Sequence, residues 1–266
     1  MVTIDKLDWF TTYLMNQGFW VGGSKYVSNS SKDIYATKTI RYFLGKNKKF
    51  LVVPIFEFNQ KKISHFDYKN FVNEATVDYP FSYEFVLLIW PNLEIDKKFA
   101  VVYDGLYFDH LDSTRALDFF YQFDQSLVDK PDYLKPLNKG PTDYFHQWAR
   151  SFMGGFQNDI DAYVVKNSKT YMFELKRPNE SLSTWKPYKN DRWNYTTFQH
   201  FCDFNKYELI NIAYSKNVYW LIKIFKNVKF ENNRLNYDHK NLKLNISDKL
   251  IDLIGKLDFY NTSSRR

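Results

Sequence analysis

The chain lacks most of the raw material of several protein classes. It has one cysteine, Cys202, which excludes an intrachain disulfide and a multi-cysteine zinc site and suits a reducing compartment. Long apolar runs are missing: Phe50–Phe56 and Phe85–Trp90 are the longest, far short of the roughly 20 residues of a membrane-spanning helix. The first residues include Asp5 and Asp8 and no apolar core, unlike a secretory signal. No Gly-rich phosphate loop, Walker sequence or Gly-x-Ser-x-Gly occurs, and His65, His110, His200 and His239 have no metal-ligand spacing to one another. These absences lead us to expect a soluble cytoplasmic protein without a membrane partner.

Two features are in excess. Phe, Tyr and Trp make up 20% of the chain, a load that leans toward strands, where rings pack on a half-buried pleated surface. The net charge of +7 is unevenly placed. Residues 1–141 carry 17 basic and 17 acidic side chains, whereas 142–266 carry 20 and 13. A neutral front and a basic back suggest that the back half meets a polyanion, although a basic balance also serves plain solubility.

Local patterns divide the chain. Thr3 to Gln17 reads as an amphipathic helix capped by Thr3 and ended by Gly18. Strand character follows at Lys49–Phe58, Tyr83–Trp90 and Phe99–Phe108, the last folded at Asp104-Gly105. Ser113 opens a helix to about Leu127. Pro131, Pro136, Gly140 and Pro141 then interrupt any regular element. We therefore expect an N-terminal α/β region over 1–135, rich in strands and aromatics, and a second region over 142–266. The second opens with a helix over Thr142–Phe152, then strands at Ile160–Val165 and Thr170–Lys176 joined by a short turn. A helical region from about Trp193 to Ala213, a strand at Val218–Phe225 and a capped helix at Ser247–Phe259 complete it. The expected class is α/β with mixed strand directions.

The chemistry concentrates in the two short strands. Side chains alternate along a strand, so Glu174 and Lys176 share one face while Phe173 and Leu175 point into the core. A hairpin turning at 166–169 brings Asp161 near Glu174. Two carboxylates that close repel unless a cation joins them. Mg²⁺ binds through one or two carboxylates plus water and substrate phosphate. Such an ion activates water, and an ammonium such as Lys176 orients the attack or stabilises developing charge. The bland alternative is a solvated sheet face with surface ion pairs.

Asp161 followed by Glu174-Leu175-Lys176 in an apolar strand resembles the PD-(D/E)xK nuclease superfamily over about residues 142–226. The resemblance implies a restriction-endonuclease-like core, a central mixed β-sheet flanked by helices, and a Mg²⁺-dependent endodeoxyribonuclease in which Mn²⁺ can substitute. It implies Asp161, Glu174 and Lys176 as catalytic residues and Asp161 and Glu174 as metal ligands. If Asn158-Asp159 stands for the Pro-Asp dipeptide, Asp159 is the ligand; Asp161 is preferred because it borders the apolar strand, with Asp159 auxiliary. Gln199, on the helix after the Glu-x-Lys strand, is a second auxiliary candidate. The length resembles that of stand-alone type II restriction endonucleases, which implies a possible homodimer and double-stranded DNA as partner, with a repair or phage-defence nuclease as near alternative. A nucleic-acid-binding module that keeps the fold without activity is the other reading.

Between Lys176 and Asn194, basic and aromatic residues interleave: Arg177, Lys186, Lys189, Arg192 and Trp193. That mixture suits a phosphate backbone and stacked bases, or an ordinary surface loop anchored by its tryptophans. Cys202, among Phe198, Phe201 and Phe204, reads as a buried apolar residue.

Overall fold

The computed structural model describes residues 8–22, 25–27, 34–37, 40–57, 84–91, 99–104, 106–128, 148–149, 151–154, 156–215, 218–231 and 234–257. The elements in the first part of the chain are α1 (Trp9–Asn16), β1 (Trp20–Val21), β2 (Lys25–Val27), β3 (Ile34–Thr37), β4 (Arg41–Leu44), β5 (Lys49–Glu57), β6 (Glu84–Pro91), β7 (Phe99–Tyr103), β8 (Leu106–Leu111) and α2 (Ser113–Phe123). They are followed by β9 (Phe156–Asp159), β10 (Ala162–Lys166), β11 (Lys169–Lys176), α3 (Arg192–Asn205), β12 (Glu208–Tyr214), β13 (Leu221–Glu231), β14 (Arg234–Lys243) and α4 (Leu250–Gly255). No helix among them is long and apolar enough to cross a membrane.

Two compact units emerge, Met1–Asp5 with Gly22–Asp159, and Lys6–Val21 with Ile160–Arg266. In the first, β2-β3-β5-β6-β7-β8 form a sheet in which β4 bridges β5 and β9. The Asp104 turn is confirmed by the β7–β8 pairing, Tyr103 opposite Leu106, with Asp104 at φ 47°. Its core packs Phe43, Phe50, Val86 and Phe120 together with Trp148, Ala149 and Met153. The helical turn around Trp148, grouped from sequence with the basic half, thus belongs to this unit because its aromatic anchor is buried there. Thr142, and the proline-rich stretch before it, lie outside the described residues.

The second unit is α/β, a mixed six-stranded sheet flanked by helices, in the order β1-β10-β11-β12-β13-β14. β10 and β11 form an antiparallel hairpin, Ala162 opposite Phe173 through Lys166 opposite Lys169. Its two turn residues, Asn167 and Ser168, have φ of 51° and 61°, the left-handed pair whose twist matches a tight hairpin. β12 then lies parallel to β11, and α3 makes the crossover. Residues Phe173, Ile210, Ile212, Ile222 and Ile224 face Phe10, Leu14, Leu250 and Ile254 of α1 and α4. The opposite face meets α3 and the segment before it, with Leu182, Trp185, Tyr195, Ala213 and Phe225 packed together.

Several sequence expectations are corrected. α1 is capped by Asp8, whose carboxylate accepts from Thr11 N–H at 3.0 Å, and Thr3 lies outside the described residues. α2 does begin at Ser113 as expected, with Asp112 as its cap, accepting from the Arg115 N–H at 2.9 Å; it ends at Phe123 rather than near Leu127. The helix expected to reach Ala213 ends at Asn205, where Lys206 turns left-handed at φ 59°. Glu208–Tyr214 is instead a central strand, buried on both faces. β13 runs on to Glu231 and β14 was not anticipated; it is a polar edge strand.

Candidate active site

β11 carries two of the candidate residues. Its odd-numbered Phe173 and Leu175 enter the core shared with α1 and α4, so Glu174 and Lys176 emerge on the α3 face. Lys176 Nζ lies 2.6 Å from Glu174 Oε1. Asp161 sits one residue beyond the Ala162–Phe173 pair, opposite Glu174 in register. Its Oδ2 accepts the Leu175 N–H at 2.7 Å, which ties the start of β10 to the middle of the Glu-Leu-Lys triplet. Of the three residues expected from sequence to form the site, Glu174 and Lys176 stand on β11 and Asp161 is the residue just before β10, the strand paired with it.

Two further side chains join them. Asp191 Oδ2 lies 3.4 Å from Lys176 Nζ, and the Tyr195 ring centroid is 5.5 Å from the same nitrogen. Both come from the start of α3, one turn apart, which puts them on one helix face. Glu174 is 4% exposed, Asp191 8% and Tyr195 2%. Burial alone would push the Lys176 pKa down, but the charges of Glu174, then Tyr195 and Asp191, hold it above the ordinary lysine value. The ammonium is charged at any physiological pH. The Tyr195 hydroxyl is buried without a hydrogen-bond partner among the described residues, and burial raises its pKa. Sequence reasoning missed Asp191 and Tyr195. The available signal was their spacing of four at a helix start, where an aspartate passes for a cap.

A second ionic group lies on the same unit. Asp8 Oδ2 accepts from the Tyr214 hydroxyl at 2.6 Å and from Arg177 Nη1 at 3.3 Å. Arg177, expected to contact nucleic acid, is thereby joined to the cap of α1. Another unforeseen cation, Lys223 on β13, is buried and donates to the Trp185 carbonyl at 2.7 Å. Its pKa is lowered by burial and then by Lys186.

The remaining candidates are distributed as follows. Asp159 is in the first unit, where Arg41 Nε and Nη2 hold both its oxygens at 2.8 and 3.0 Å. Gln199 donates to Asp203 Oδ1 at 2.7 Å on its own helix, and no bond among the described residues joins it to Glu174 or Lys176. Lys186 and Lys189 are exposed. Lys189 Nζ is 5.6 Å from the Phe230 ring, and the Arg192 guanidinium lies 5.0 Å from Phe230 and 5.2 Å from Trp193. Trp193 is 47% exposed and Tyr188 43%. Cys202 is buried on α3 as expected, and burial raises its thiol pKa.

The donor chemistry fits a hard divalent cation. Glu174 on β11 and Asp161 just before β10 offer carboxylate oxygens, and water and a substrate oxygen would complete such a shell. Glu174 and Asp191 both lie against the Lys176 ammonium. Among the described residues, no three His, Cys, Asp or Glu side chains converge into a cage. Comparison with known families, curated proteins and solved structures returns no match to this chain.

Proposed function

We propose that this protein is a Mg²⁺-dependent endodeoxyribonuclease with a restriction-endonuclease-like core. The observation that carries the reading is the ion pair of the buried Glu174 with the half-buried Lys176 on a central strand, with Asp161 at the residue before the strand that pairs with it. The order of β10, β11, α3 and β12, an antiparallel hairpin and then a helical crossover to a parallel strand, supports it. Asp161 and Glu174 hold the ion, with Mn²⁺ as a substitute. When bound, the ion supplies an activated water and neutralises charge on the phosphoryl oxygens. Lys176 orients the attacking water and stabilises the negative charge that develops as the bond from phosphorus to the leaving oxygen breaks. The exposed Lys186, Lys189 and Trp193, with the half-buried Arg192, suit a phosphate backbone and stacked bases.

Type II restriction cleavage of duplex DNA, by a homodimer in the cytoplasm, is the setting that this combination favours. The test is cleavage of plasmid and single-stranded DNA in Mg²⁺ by the wild type, Glu174→Ala and Lys176→Ala. Nicking or linearisation by the wild type alone is expected. A wild type that binds DNA without cutting any form of it in Mg²⁺ or Mn²⁺ identifies a binding module that keeps the fold.

A further inference from the structure

We propose that Asp191 is a positioning residue that receives the Lys176 ammonium when a divalent cation takes Glu174. The inference rests on the nuclease reading above and adds Asp191 and Tyr195, which that reading does not use.

As the side chains stand, Lys176 and a metal ion want the same carboxylate. Lys176 Nζ is 2.6 Å from Glu174 Oε1, and two cations on one buried carboxylate repel. Coordination by Glu174 therefore requires Lys176 to loosen its grip. An ammonium has three donors and, this far from water, cannot simply be released. Asp191 supplies the second acceptor. Its Oδ2 is already 3.4 Å from Nζ, so a small swing of the lysine chain closes that contact to hydrogen-bond length while the contact to Glu174 opens.

The backbone context shows that Asp191 is turned to this task. It occupies the N-cap position of α3, where an aspartate ordinarily accepts from the first helical N–H groups. Here its side chain makes no capping hydrogen bond, and it is 8% exposed. One turn further, Tyr195 places its ring 5.5 Å from Nζ and leaves a buried hydroxyl without a partner among the described residues. The ring presents an electron-rich face to the ammonium at cation–π distance. Two carboxylates for one ammonium is also the count that a site needs if one of them is to be lent to a metal.

The test measures Mn²⁺ affinity of the full chain by isothermal titration, independently of turnover. In Asp191→Asn the ammonium has only Glu174, so Mn²⁺ should bind about tenfold more weakly, within the usual range for coupling in one ion-pair network. Lys176→Met removes the competitor and should bind Mn²⁺ more tightly than the wild type. Asp191→Asn added to Lys176→Met should then change affinity less than twofold, because Asp191 acts only through Lys176. Asp191→Glu keeps the acceptor and should restore near-wild-type affinity, which also guards against a fold defect in the asparagine variant. An Asp191→Asn affinity equal to the wild type's, or an equal loss with and without Lys176, overturns the inference while leaving the nuclease reading intact. A wild type that binds no divalent cation overturns both.

Discussion

Replacing Lys176 by Met would test the buried charge arrangement through stability alone. The substitution keeps an unbranched stem against Tyr195 and removes only the ammonium. What remains is Glu174 and Asp191, whose side chains are 5% and 12% exposed, each deprived of its contact with the Lys176 ammonium. Breaking a buried pair by deleting one partner costs about 3–5 kcal/mol, because the other charge stays desolvated. Urea unfolding followed by tryptophan fluorescence in EDTA should therefore show a loss of that size, read as a lower midpoint at similar slope. The pH dependence has a fixed sign. The ammonium's folded pKa is raised, so its contribution is fully present below its unfolded value of roughly 10.4 and is lost as pH rises through the folded value. The gap between wild type and variant should thus be flat from pH 6 to 9. A loss below about 1 kcal/mol, the worth of an exposed pair, would refute the description of this trio as buried and coupled.

Asp124 should behave in the opposite sense. Its Oδ2 accepts from the Asn47 and Lys48 backbone N–H groups and its Oδ1 from Ser126. Burial pushes its pKa up, but these bonds outweigh it and hold the carboxyl below its usual value. Asp124→Asn should cost about 1.5–3 kcal/mol at pH 7, a difference that shrinks in urea titrations as pH falls below about 4. Gly45→Ala should disturb the same turn, since an added Cβ would lie 2.7 Å from the Asp124 carboxyl carbon. Asp159→Ala and Asp161→Ala should separate cleanly. The first takes the bidentate partner from the buried Arg41 and lowers stability by about 3 kcal/mol without changing Mn²⁺ affinity, whereas the second weakens Mn²⁺ binding in calorimetry. Removing Lys186, Lys189 and Arg192 together should flatten the log–log salt dependence of DNA binding by about 0.9 per lost phosphate contact. Arg177→Ala should change that slope less, because Arg177 is held by Asp8.

The hairpin of β10 and β11 was legible in the chain because everything that shapes it is local. Alternation along Ala162–Lys166 and Lys169–Lys176 sets the faces, and the two-residue turn at Asn167-Ser168 sets the register. The shared face of Glu174 and Lys176, and the placing of Asp161 just before the strand opposite them, follow from those two facts. The Asp104 hairpin and the amphipathic α2 were legible on the same grounds. What escaped had no local signature. α3 ends at Lys206 in a left-handed conformation without the glycine that usually announces it, so the apolar run Leu209–Tyr214 read as more helix. β14 is polar on most positions and exists because the β13 edge offers it hydrogen bonds. Trp148 could be recognised as a core residue, but not as a member of the first core. Asp191 and Tyr195 lie fifteen and more residues beyond Lys176 along the chain, and only the α3 crossover brings them to its ammonium. Consecutive residues encode strand faces, turns and caps, because those depend on nearest neighbours. Which buried charges share a pocket depends on how elements stack, and no short pattern of residues carries that information.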